Sequence, residues 1–237
     1  MSNFKNIFDA AEKGTVADLW YFVEKNKINI NSKDNVKNTA LHYATKNHNA
    51  MELVKYLVSH GADVNAKNDA SFTPLAFAVM FSISVDVLDY LISKGADISW
   101  KNSDDHNRNK TLSYFAAERN SNVEILKYLV SKGLGINVKS DEEGNTPLHE
   151  AVRNNIYIVK YLISQGADVN SKNYKGLTPL HIAASSEESD IGMLTYLISQ
   201  GADVKARTKG GLFDKGKTPL DLAANYEKSC ILRNAEN

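Results

Sequence analysis

The sequence predicts an all-α solenoid of helix-turn-helix units linked by short β-hairpin loops. Three observations predict it. A glycine-led string recurs as Gly61-Ala62-Asp63, Gly95-Ala96-Asp97, Gly166-Ala167-Asp168 and Gly201-Ala202-Asp203, with a weaker copy at Gly133-Leu134-Gly135. Its leading glycines fall 34, 38, 33 and 35 residues apart. A threonine-led string lies upstream of each: Thr39-Ala40-Leu41-His42, Thr73-Pro74-Leu75-Ala76, Thr146-Pro147-Leu148-His149 and Thr178-Pro179-Leu180-His181. A further copy, Thr218-Pro219-Leu220-Asp221, closes the series, and Thr111-Leu112 holds the same place in a degenerate unit. Between the two strings run apolar residues at i, i+3 and i+4, as in Leu53, Val54, Leu57 and Val58, the spacing of one helix face.

Each repeated residue has a physical task. Threonine caps the first helix, its hydroxyl meeting an orphan backbone N–H. Proline at the first helical position sacrifices no hydrogen bond and presets φ; all 4 prolines of the chain follow one of these threonines. Small residues such as Ala183-Ala184 let the first helix lie close to its neighbours. The glycines stop the second helix at a positive φ. Asp and Asn then open an extended turn toward the next unit. The units run over 34–67, 68–101, 102–139, 140–172 and 173–207, with capping units at 4–33 and 208–237, and the whole of 1–237 is expected to form a single solenoid. Two connections are enlarged, Ser103–Asn109 and Lys209–Gly216. Loop length is thermodynamically cheap, so such insertions persist.

These strings resemble the ankyrin repeat, and the resemblance covers nearly the whole chain. It implies a non-catalytic module that binds another protein on a concave face made of hairpin tips and first-helix ends. It also implies that His42, His149 and His181 tie neighbouring turns together by hydrogen bonds.

Composition and motifs exclude several other classes. Of the 237 residues, 43% are apolar, enough for a packed core. Basic and acidic side chains balance at 28 each, which argues against binding to nucleic acid. The most apolar stretch, Leu75 to Val85, is too short to insert into a membrane. A single cysteine, Cys230, rules out an internal disulfide and any multi-cysteine zinc site. No nucleophile elbow, phosphate loop or zinc helix occurs; Gly216-Lys217-Thr218 lacks the upstream glycine of a phosphate loop. The expectation is therefore no catalytic residue, cofactor or metal. The alternative is an enzyme or regulatory subunit with a site in the irregular loops 102–120 or 208–217. Six of the 11 tyrosines (Tyr21, Tyr56, Tyr90, Tyr128, Tyr161 and Tyr196) share one second-helix register, a packing stripe with hydroxyls toward solvent.

The candidate protein-binding residues are those the repeat does not dictate. On hairpins stand Phe72 and Tyr174, with Trp100 beginning the next one. At first-helix ends stand Lys46, Asn47, Met80, Phe81, Arg119, Arg153 and Tyr226. Met80, Phe81, Phe72 and Trp100 are expected to form an apolar patch, because neighbouring units place polar or small residues there. Lys46, Asn47, Arg119 and Arg153 would rim it. Lysine exceeds arginine by 23 to 5, and asparagine occurs 25 times; their codons are A/T-rich. That composition and the array standing alone lean toward a monomeric effector of an intracellular bacterium, cytoplasmic or secreted into a host cell cytoplasm. A scaffold within its own cell competes with that reading.

Overall fold

In a computed structural model of the chain, the described residues are 2–81, 84–102, 109–119, 121–153, 155–187, 189–211 and 215–236. They form helices and turns, with no strand among them. The chain divides into two compact units, Met1–Asp105 and His106–Asn237.

The first unit contains α1 (Ile7–Lys13), α2 (Val16–Trp20, continued by a π-helical turn Tyr21–Lys25), α3 (Ala40–Ala44), α4 (Ala50–Ser59), α5 (Pro74–Phe81) and α6 (Val85–Ser93). First helices pack on first helices, α1 on α3 and α3 on α5, while second helices pack on second, α2 on α4 and α4 on α6. The second unit repeats this with α7 (Leu112–Arg119), α8 (Val123–Ser131), α9 (Pro147–Ala151), α10 (Ile156–Ser164), α11 (Pro179–Ser185) and α12 (Ile191–Ser199). It ends in a 3₁₀ turn, Leu220–Leu222, and α13 (Tyr226–Glu236). Leucines 53, 57, 88, 91, 126 and 129 on the inner face of the second helices are fully buried, so the apolar stripe read from the sequence is the core.

The helix starts follow cap chemistry. Thr39, Thr146 and Thr178 each precede a helix in extended conformation and share a capping box with the histidine three residues on. The two terminal units use aspartate instead: Thr15 N–H donates to Asp18 Oδ2 at 3.0 Å, and Thr218 N–H to Asp221 Oδ2 at 2.8 Å.

The helix stops carry a second device. After α10, Gly166 has φ +88°, and the N–H of Ala167 bonds the carbonyl of Leu162 at 2.9 Å, the Schellman closure. Asparagine of the preceding unit then latches this turn: Asn137 Nδ2 donates to Gly166 O at 3.2 Å, and its Oδ1 accepts from Asp168 N at 3.3 Å. The same two-pronged latch joins Asn31 to Gly61 and Asp63, Asn65 to Gly95 and Asp97, and Asn170 to Gly201 and Asp203. At the corresponding place in the 68–101 repeat, Ser99 turns its hydroxyl back to its own Asp97 at 2.6 Å. A Cβ on Gly166 would meet nothing within 4 Å, so substitution costs backbone strain alone. Gly166→Val is expected to destabilise by roughly 1–3 kcal/mol, since a β-branched residue resists positive φ. The urea midpoint checks this, and an unchanged midpoint would count against the left-handed stop.

The tyrosine register holds one surprise. Tyr56 does not present its hydroxyl to solvent. The oxygen is buried without a hydrogen-bond partner among the described residues, and the ring lies 4.1 Å from that of His60. Burial raises its pKa above the ordinary tyrosine value.

Candidate functional site

The first unit holds a cluster of aromatic residues around Phe77. Thr-led strings place Tyr43 and Phe77 at matching positions, four residues after Thr39 and Thr73. Phe77 is the hub: its ring centre lies 5.1 Å from His42, 6.2 Å from Phe72 and 5.7 Å from Phe81. Phe72 in turn lies 5.7 Å from Trp100. Beside this cluster opens a hollow of about 460 Å³ whose lining includes Lys46, Asn47, Met51, Phe81 and Val87.

Four candidate residues are corrected by the structure. Met80 is buried, not exposed. Adjacent helical residues point about 100° apart, so α5 presents Phe81 and folds Met80 inward with the rest of Pro74–Met80, all of which is buried. Trp100 is only 4% exposed: it donates its indole N–H to Ser71 O at 3.1 Å and packs on Phe72. Asn47 is buried because its amide donates to Ala11 O and Gly14 O, both at 3.2 Å, capping the end of α1. Tyr226 is 78% exposed but does not sit on a first helix. It opens α13, because the last unit's first helix has shrunk to the turn Leu220–Leu222.

Phe81 is 50% exposed and stands at the hollow. Phe72 is partly buried. Lys46 lines the same hollow, its ammonium 5.0 Å from the Phe81 ring centre. Arg119 and Arg153 belong to the second unit and are engaged by Glu118 at 3.1 Å and Glu150 at 3.5 Å. Tyr174, 48% exposed, lies over Gly144, where an added Cβ would meet its ring at 2.6 Å. Sequence reasoning passed over Tyr43, Phe77, Glu12 and Met51. The matched register of Tyr43 and Phe77 was the available signal.

The second unit has its own polar hollow, of about 240 Å³, lined by Lys110, Tyr114, Glu118 and Glu150 among others. Tyr114 takes the place of a string histidine. Its hydroxyl donates to the buried Glu150 at 2.7 Å, and burial followed by that carboxylate pushes its pKa far up. The phenol therefore stays protonated and serves as a donor, not a base. Of the irregular loops, residues 103–108, 120 and 212–214 lie outside the described residues. Among the described residues no three or more metal-ligating side chains are grouped, and no helix is long and apolar enough to cross a membrane.

The string histidines form a ladder between neighbouring repeats. His42 Nδ1 accepts from Thr39 N at 3.1 Å, while Nε2 lies 3.1 Å from Phe72 O of the next repeat. His149 reaches Leu177 O at 3.1 Å, and His181 reaches Lys217 O at 3.0 Å. A family model described as ankyrin repeats (3 copies) matches residues 7–102, 99–173 and 154–233.

The chain belongs to the ankyrin repeat family. Ankyrin repeats are protein–protein interaction modules, and the family is generally non-catalytic. Among solved structures, the ankyrin repeat chain is similar to the human ASB11 ankyrin repeat domain, at 25% identity and TM-score 0.81, over 99% of each chain. It is also similar to one chain of a complex between the predatory endopeptidase Bd0816 from Bdellovibrio bacteriovorus and immunity protein Bd3460. There the identity is 30% and the TM-score 0.67, covering 84% of this chain and 99% of that one. No curated protein matches the chain.

Proposed function

We propose that this ankyrin array acts as a monomer that captures one partner protein in the aromatic hollow of its first unit, without catalysis. The observation that carries the reading is Phe81, half exposed at the mouth of the hollow. Beneath it Phe77 is buried and backed by Phe72 and Trp100. A large aromatic held rigid by a packed floor loses little conformational freedom on binding, which is how hot spots arise. The likeness to a chain from a protein–protein complex supports a binding role.

Phe81→Ala should leave the melting temperature nearly unchanged and weaken capture by about thirtyfold or more, the usual cost of truncating a hot-spot aromatic. Affinity recovery from source and host lysates by wild type and variant, quantified by mass spectrometry, reads this. Equal recovery would move the site elsewhere, and a large loss of melting temperature would make Phe81 part of the core. The finer reading is an effector of an intracellular bacterium that works in the cytoplasm of its host, supported by the A/T-rich composition. A reporter fusion that signals only from host cytosol tests it.

A further inference from the structure

We propose that Lys46 is the anion-receiving point of the hollow, so that the partner segment carries an Asp or Glu carboxylate beside an apolar side chain that covers Phe81. This rests on the binding role of the hollow argued above. Lys46 stands two residues past the end of α3, and its ammonium lies 5.4 Å from the centre of the Tyr43 ring, 5.1 Å from Phe77 and 5.0 Å from Phe81. Three aromatic faces attract the charge and fix its position. They accept no ordinary hydrogen bond, and an ammonium has three N–H donors to place. Among the described residues its ionic contact is Glu12 Oε1 at 3.9 Å, beyond hydrogen-bond length. Glu12 is also shared with Lys13 at 3.7 Å. The side chain of Lys46 remains 29% exposed at the hollow.

A prepositioned ammonium with unspent donors gains most from a carboxylate. A charge-assisted bond of about 2.8 Å would replace the loose 3.9 Å pair. A cationic segment would be repelled. Glu12 and Glu52, the latter also in the lining, disfavour a polyanion but tolerate a single carboxylate. The apolar part of the segment is set by Phe81, Met51 and Val87, which line the same space.

The test pans a random peptide display library on the full chain and measures selected synthetic peptides by fluorescence anisotropy. Wild type should select peptides with Asp or Glu next to an aromatic or aliphatic residue. For such a peptide, Lys46→Gln should weaken binding by about tenfold, Lys46→Arg should preserve it, and Glu12→Gln should tighten it by freeing the ammonium. Repanning on Lys46→Glu should select Lys- or Arg-bearing peptides. Peptides that depend on Phe81 but show no acidic preference and ignore Lys46→Gln would overturn this inference while leaving the binding role of the hollow standing. Peptides indifferent to Phe81→Ala would overturn that role itself. Failure to enrich any peptide would overturn capture of a short acidic–apolar segment.

Discussion

Acidification from pH 6.5 to pH 4 is expected to strip about 3 kcal/mol or more from the stability of the fold, through its string histidines. In the folded chain His42 Nδ1 accepts from a backbone N–H. That donor cannot reverse, so Nδ1 is unprotonated and Nε2 carries the proton it gives to Phe72 O. Protonating Nδ1 would set two hydrogens against each other in a site closed to water. Burial pushes the His42 pKa down from 6.5 to about 4, and burial lowers His149 and His181 as well. The unfolded chain therefore binds protons first as pH falls. Stability is complete above pH 6.5 and declines between 6.5 and about 4, at about 1.4 kcal/mol per pH unit for His42 alone. Against a typical total of about 5–15 kcal/mol, this is a large share. Asp221, held below its ordinary 3.8 by the Thr218 N–H and hydroxyl, loses its contribution only below that value. Urea midpoints at pH 7 and pH 4.5 therefore isolate the histidines. A flat midpoint across that window would sink the assignment.

Lys228→Ala is expected to cost about 3 kcal/mol and to release α13. Lys228 aligns with Ile158 and Met193, buried apolar residues of the preceding second helices. It is itself 1% exposed, and its ammonium donates to Ala183 O at 2.9 Å and to Ser186 O. Those carbonyls close α11, the negative end of its dipole. Burial lowers the lysine pKa, so the charge is held at a desolvation cost that two charge-assisted bonds offset. Alanine removes the packed stem and both donors. Lys228→Met refills the space without the donors and should recover about half of the loss. Chemical denaturation gives the sizes, and hydrogen exchange over residues 226–236 should quicken in both variants. A methionine variant as stable as wild type would mean that the lysine returns no more than it costs, as buried charges often do.

How much of this was legible in the sequence depends on how far apart the interacting residues lie. The threonine caps, the proline starts and the glycine stops were readable because each acts within three or four residues. Thr178 needs only the N–H of His181, and Gly166 only a free left-handed conformation. The 33–38-residue period follows from repeating those local signals, and with it the family. Exposure was not readable that way. Phe81 and Met80 are adjacent in sequence, yet one lines the hollow and the other is core. Trp100 was drawn inside by a carbonyl 29 residues away and Asn47 by carbonyls 36 and 33 residues away. The asparagine latches, the ammonium of Lys46 among three rings and the buried ammonium of Lys228 join different repeats in the same way. The sequence by itself determined most helix starts and stops, since a cap is satisfied by its nearest neighbours along the chain; the last repeat is the exception, its first helix reduced to the turn Leu220–Leu222. Only the tertiary structure decided which variable side chains reach water, because the groups that cover them arrive from the next repeat.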